Sequence, residues 1–111
     1  QVKRKTYKAY QDLYHQEIIF IPNWTRMEVI ETFSEDLTNA AGAVFVKNGI
    51  IVIWIKEFTY ENLDYLCHES VHAANMIFAL RGQAIDVKND EAQAYLVQWI
   101  FEVCKKVLKK R

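Results

Sequence analysis

Two short apolar runs separated by a turn dipeptide dominate the middle of the chain. Residues 43–47 and 50–55 are rich in β-branched and aromatic side chains, and Asn48-Gly49 lies between them. Asn-Gly favours the tight turn that joins two antiparallel strands, because both residues readily adopt positive φ. The pattern therefore predicts a β-hairpin over residues 43–55.

Weaker periodicities precede this hairpin. Three tyrosines within residues 3–15 follow the helical period, so this segment is predicted to form a short helix. Residues 17–21 are mostly isoleucine and phenylalanine, and they are predicted to form a strand that stops at the following proline. In residues 25–32 the apolar positions fit a helix, but a return strand fits about as well, and we favour the strand.

The second half of the chain shows the helical period twice. Thr59 suits the N-cap of a helix that is predicted to run to about Leu80. A second helix is predicted from a cap at Asn89 or Asp90 to about Leu108. Because strands come first and helices second, the sequence predicts an α+β fold with a small antiparallel sheet. No stretch has the composition of a linker, so residues 1–111 are expected to form one domain.

Charge and composition narrow the class of protein. The 14 basic residues balance the 14 acidic ones, so neither nucleic acid nor a membrane surface is expected as a partner. The short basic runs at the two ends are expected to be solvated. No apolar run has the length of a membrane span. The chain begins with Gln1, so we expect that it was trimmed or processed.

The cysteines give no sign of a disulfide framework. Only Cys67 and Cys104 occur, and their spacing matches neither a disulfide scaffold nor a cysteine-type zinc site. We therefore expect both to be reduced and buried as small apolar groups. A reducing compartment, and so a cytoplasmic location, is the expectation that follows.

The candidate chemistry lies on the first of the two predicted helices, in the segment HESVH at residues 68–72. On a helical wheel His68 and His72 fall together, one turn apart, and Glu69 lies beside them. The opposite side is apolar and is predicted to face the core. That side consists of Leu63, Leu66, Cys67, Ser70, Val71, Ala74, Ile77 and Phe78.

This spacing is typical of a zinc site. Residues at positions i and i+4 share a helix face, so the imidazoles of His68 and His72 can converge on one zinc ion. The glutamate that follows the first histidine points beside the metal. There Glu69 can act as a general base that takes a proton from water activated by the zinc. A single histidine on a helix is usually structural, whereas this pair in register favours metal binding.

A catalytic zinc site usually has a third protein ligand. No histidine follows the pair, and His15 lies far upstream. The remaining candidates are the carboxylates Asp86, Asp90, Glu91 and Glu102. Glu91 opens the second helix, where the helix dipole alone already favours an acidic residue. The residues themselves leave the choice between Glu91 and Asp90 open.

The segment GIIVIWIKEFTYENLDYLCHESVH resembles the strand, loop and active-site helix of gluzincin zinc peptidases. The motif E-x-x-A at Glu91 is similar to the later helix of the ImmA/IrrE-like regulatory peptidases. Taken together, the two motifs resemble short HExxH proteins of phages and prophages over residues 17–102. The resemblance implies a zincin-like fold with Glu91 as the third zinc ligand. It also implies that residues 50–55 border a cleft where an extended peptide adds as a further strand.

The sequence thus predicts a zinc metallopeptidase that hydrolyses peptide bonds, in the host cytoplasm if the protein is phage-encoded. Tyr95 is a candidate for stabilising the oxyanion, although a tyrosine on a helix more often packs. The alternative is a binding or interaction protein of phage origin that has no catalytic activity and in which zinc only stabilises the fold. A third class, a nucleic-acid-binding module, depends only on the basic ends of the chain.

Overall fold

The computed structural model of the protein describes residues 4–37 and 39–108. It confirms the α+β class, with a four-stranded sheet and three α-helices in the described residues. The outermost parts of the basic ends, and residue 3 of the predicted N-terminal helix, lie outside that part of the chain. In chain order the elements are β1 (Tyr7–Gln11), β2 (Gln16–Pro22), α1 (Arg26–Phe33), β3 (Gly42–Lys47), β4 (Ile50–Ile55), a 3₁₀ turn (Tyr60–Asn62), α2 (Leu63–Leu80) and α3 (Glu91–Lys105).

The sheet is mixed, so the prediction of a purely antiparallel sheet was wrong. The strand order is β1-β2-β4-β3, with β1–β2 and β3–β4 antiparallel and β2–β4 parallel. The parallel pair arises because α1 and β3 lie between β2 and β4 in the chain. Strand β3 runs back across the sheet, so β4 starts at the same end of the sheet as β2 and runs in the same direction. The predicted hairpin is confirmed, and its turn residues Asn48 and Gly49 both have positive φ, 51° and 77°.

Two assignments near the N-terminus were also wrong. Most of residues 3–15 form β1 and the turn after it, and side-chain burial along β1 alternates with the period of a strand. Residues 25–32 belong to a helix, α1, whose N-terminus Thr25 caps. The Thr25 hydroxyl accepts from the Glu28 backbone N–H, and the Glu28 carboxylate accepts from the Thr25 N–H. This reciprocal capping stabilises the first turn of a helix and is not available to a strand.

The central strand β4 supplies apolar side chains to both faces of the sheet. Ile51, Ile53 and Ile55 belong to the core beneath α2 and α3. Val52 and Trp54 belong to a second core on the other face, together with Val29 of α1. Burial on both faces explains why residues 50–55 form an uninterrupted apolar run rather than an alternating one.

Helices α2 and α3 pack as an antiparallel pair. Near the loop between them, Gln93 of α3 donates a hydrogen bond to Asn75 of α2. At the other end, the Tyr60 hydroxyl donates to the carbonyl of Leu108. The predicted cap Thr59 precedes the 3₁₀ turn and makes no capping hydrogen bond with its side chain. Among the described residues, no helix is long and apolar enough to cross a bilayer.

The C-terminal end of α2 is anchored to the turn between β1 and β2. The Arg81 guanidinium donates to the carbonyls of Tyr14, at 2.8 Å, and His15, at 2.9 Å. It also donates to the side-chain oxygen of Gln16, which is almost fully buried. Gly82 follows with φ of 69°, the left-handed conformation that ends many helices. The helix that carries the candidate site is therefore held at its far end.

Candidate metal centre

Helix α2 places the two histidines on its exposed side. Its buried residues face the sheet and α3, and both His68 and His72 lie outside that face, as predicted. The buried face is rotated toward Glu69 relative to the prediction, so Cys67 and Val71 are exposed. The prediction that both cysteines are buried is therefore wrong for Cys67. It is confirmed for Cys104, where burial raises the pKa of the thiol to about 12.

The two imidazoles converge on one point in front of the helix. The Nε2 atoms of His68 and His72 lie 3.2 Å apart, and the ring planes are inclined at 77°. Zinc–nitrogen bonds of about 2.0–2.1 Å at a tetrahedral angle separate two ligand nitrogens by about 3.3 Å. The pair thus has the spacing that a bound zinc ion requires. Without a metal, the same spacing fits a hydrogen bond between one donor and one acceptor nitrogen.

Glu69 lies beside this pair but is turned toward the protein interior. Only 8% of its surface is exposed. Burial raises the pKa of the Glu69 carboxyl above its ordinary value, and this effect outweighs the nearby imidazoles of His68 and His72, which lower it. A carboxyl group whose affinity for protons is increased in this way has the chemistry of a general base.

Strand β3 leaves room for this carboxylate because it begins with a glycine. A Cβ atom at Gly42 would lie 3.2 Å from Glu69 Oε2 and 2.8 Å from the carbonyl oxygen of Trp54. Any larger residue at position 42 would have to displace strand β4 or the glutamate. The close approach of strand and helix therefore depends on Gly42, a residue that the sequence did not single out.

An open cavity of about 550 Å³ lies in front of Glu69. Gly42 and Ala41 form one wall, and α2 forms the other with His68, Glu69 and residues of the preceding turn. Those preceding residues are Asp64 and Tyr65. A helical wheel could have identified both, because they precede His68 and Glu69 by one turn. The contribution of β3 depends on tertiary packing and has no signal in the sequence.

The structure does not bring Glu91 together with the histidines. Within residues 4–37 and 39–108, no three His, Cys, Asp or Glu side chains are placed so that they could hold a metal ion. Glu91 is exposed at the start of α3. At about 100° per residue it lies about 160° around the helix from Gln93, which contacts α2. Glu91 as a ligand thus stays a prediction. Of the predicted site residues, the structure brings His68, His72 and Glu69 close together.

Two other expectations about the site are not met. Tyr95 lines a different groove, together with Trp99 and Glu102, and not the cavity that contains His68. Strand β4 cannot accept an additional strand, because β2 and β3 pair with it on both sides. Among the residues that the structure describes, the strand beside the cavity with an unpaired edge is β3.

Comparisons with known proteins do not assign the chain to a family. No match was found among protein-family models, curated proteins or solved structures. The likeness to gluzincin peptidases therefore rests on the motifs quoted above.

Proposed function

We propose that the protein is a zinc-dependent peptidase in which His68 and His72 hold the metal and Glu69 is the general base. One observation carries the proposal: the two Nε2 atoms lie 3.2 Å apart, and His68 lines an open cavity together with the buried carboxylate of Glu69. This separation agrees with the spacing of two ligand nitrogens on one zinc ion.

The roles of the residues follow from their positions. A zinc ion bound there supplies Lewis acidity, which polarises a carbonyl group and makes water more acidic. The Glu69 carboxylate accepts the proton of the attacking water and passes it to the leaving amine. Tyr65 lines the same cavity, so its hydroxyl can donate a hydrogen bond to the substrate carbonyl oxygen. The two histidines keep their Nε2 atoms unprotonated when the metal binds.

The proposal is tested by removing and restoring the metal. Zinc-loaded protein is incubated with a peptide library, and the products are identified by mass spectrometry. We expect cleavage that excess chelator abolishes and added zinc restores, because catalysis needs the Lewis acid. Cleavage that continues in the presence of the chelator would contradict the role of zinc. A library left intact by fully loaded protein would contradict peptidase activity.

The identity of the third ligand gives a separate prediction. Glu91→Ala is expected to weaken zinc affinity by about 10- to 100-fold or more. Loss of a residue that only hydrogen-bonds to a metal ligand already has an effect of that size. Asp90→Ala is the matched control. Asp90 makes no capping hydrogen bond with its side chain, so this change should alter neither zinc affinity nor stability. The loss of about 1 kcal/mol that follows removal of a capping side chain does not apply to Asp90.

Zinc affinity is measured by competition with a chelator of known strength. Coordination by Glu91 requires the start of α3 to turn toward α2 when the metal binds. If Asp90→Ala weakens zinc binding and Glu91→Ala does not, the third ligand is Asp90. If neither change has an effect, the proposed ligand set is wrong.

A further inference from the structure

A second cavity adjoins the one that contains Glu69. Its volume is about 430 Å³, and it shares two wall residues, Ala41 and Tyr65, with the first. The two cavities thus form one groove that passes Tyr65. The far part of this groove is lined by the cationic side chains Arg26 and Lys56.

The charges along this groove change sign. At the first cavity the acidic side chains are Asp64 and Glu69. At the second, two cations accompany a single carboxylate, that of Glu57. A ligand that spans the groove is therefore matched best when a negative group lies at the far end.

The two cations are attached to fixed parts of the fold. Arg26 is the first residue of α1, and its Nη1 donates to the carbonyl of Leu37 at 3.0 Å. Lys56 directly follows β4, and its backbone N–H donates to the carbonyl of Ala41 at 2.9 Å. The Arg26 guanidinium and the backbone of Lys56 are thus held by hydrogen bonds, so the cationic end of the groove has a defined place in the fold.

We propose that the second cavity binds a carboxylate of an extended peptide while the bond to be cleaved lies at Glu69. This inference rests on the proposed peptidase function and names its substrate class, peptides with a carboxylate near the cleaved bond. Tyr65 precedes Glu69 by four residues, about 6 Å along the helix axis. An extended peptide covers that distance with about two residues. The carboxylate is thus at least two residues from the cleaved bond, on a side chain or at the C-terminus.

Binding is measured on metal-free wild-type protein, so that hydrolysis does not interfere. The probes are three acetylated alanine peptides of equal length: one with a free C-terminal carboxylate, one amidated, and one amidated with an internal glutamate. Their affinities are obtained by NMR titration of the backbone amides of Lys56 and Glu57. We expect a peptide with a carboxylate to bind at least about fivefold more tightly than the neutral amide. The acidic peptide that gains affinity shows whether the carboxylate is terminal or on a side chain.

Charge variants assign the effect to this cavity. Arg26→Gln and Lys56→Gln are each expected to reduce the carboxylate preference by about two- to fivefold. Lys88→Gln, which removes the same charge from the loop before α3, should leave it unchanged. Equal affinity for all three peptides, no measurable binding, or a preference that survives in the double variant would overturn the inference.

The same peptides separate this inference from the proposed function. If the carboxylate preference is present but zinc-loaded protein cleaves no peptide, the binding site stands and the peptidase function fails. If cleavage occurs and neither affinity nor cleavage rate responds to the carboxylate, the peptidase function stands and this inference fails.

Discussion

Replacing either histidine of the pair with alanine is expected to remove the metal. Wild-type protein should carry close to one equivalent of zinc, and His68→Ala or His72→Ala should carry almost none. In the proposed site each imidazole would supply one of two bonds to the same zinc ion, and a single imidazole on an exposed helix face binds zinc too weakly to retain it. Loss of a residue that only hydrogen-bonds to a metal ligand already weakens metal affinity by about 10- to 100-fold. Loss of a ligand itself is therefore expected to weaken zinc affinity by about 100-fold or more.

Elemental analysis of the purified proteins measures the zinc content per chain directly. His15→Ala is the matched control, since His15 is the remaining histidine of the chain and lies in the turn after β1. Its zinc content should equal that of the wild type. Unchanged zinc in both His68→Ala and His72→Ala would mean that the contact between the rings is an ordinary hydrogen bond. Such a bond contributes about 1 kcal/mol to stability and has no role in metal binding.

Glu69→Gln is expected to abolish hydrolysis while leaving the metal in place. The amide has the shape of the carboxylate, so the packing against Gly42 is retained, but it cannot accept a proton. Loss of a positioned general base lowers the rate by about 10²- to 10⁴-fold. Initial rates on a cleaved peptide, together with zinc content and thermal unfolding, test the three parts of this prediction.

The control for Glu69→Gln lies in the same cavity. Asp64→Asn removes a carboxylate from the cavity wall without touching the proposed base, and it should keep most of the activity. Equal cleavage by wild type and Glu69→Gln would exclude Glu69 as the base. If zinc only stabilises the fold, Glu69→Gln has no effect in any assay and the wild type cleaves no peptide.

Local signals in the sequence were sufficient for several elements. Asn48-Gly49 predicted the hairpin because its turn needs two positive φ angles, and both are present. The spacing of His68 and His72 predicted a shared exposed face, because residues one turn apart are always neighbours on a helix. Such features depend on residues a few positions apart, so the chain alone determines them.

Other features depend on residues that are distant in the chain. Parallel pairing of β2 with β4 has no local signature, so the sheet was expected to be antiparallel. The burial of Glu69 and the exposure of Cys67 follow from how far α2 rotates on the sheet, which a helical wheel does not specify. For α1 the signal was present, since Thr25 and Glu28 have the spacing of a capping box. The tyrosines of residues 3–15 fitted a helical period by coincidence.

The parallel pairing of β2 with β4 also bears on the order of folding. The hairpin of β3 and β4 closes a two-residue turn, so it can form rapidly on its own. Ile18 must meet Ile51, and the loop closed by that contact contains α1 and β3. Long-range pairing of this kind costs chain entropy before it gives any contact energy, and it slows folding. Helix α2 follows β4 after the short segment that contains the 3₁₀ turn, and it packs on β3 and β4. The hairpin is therefore the natural template on which the helix with both histidines docks, and the N-terminal strands complete the sheet afterwards.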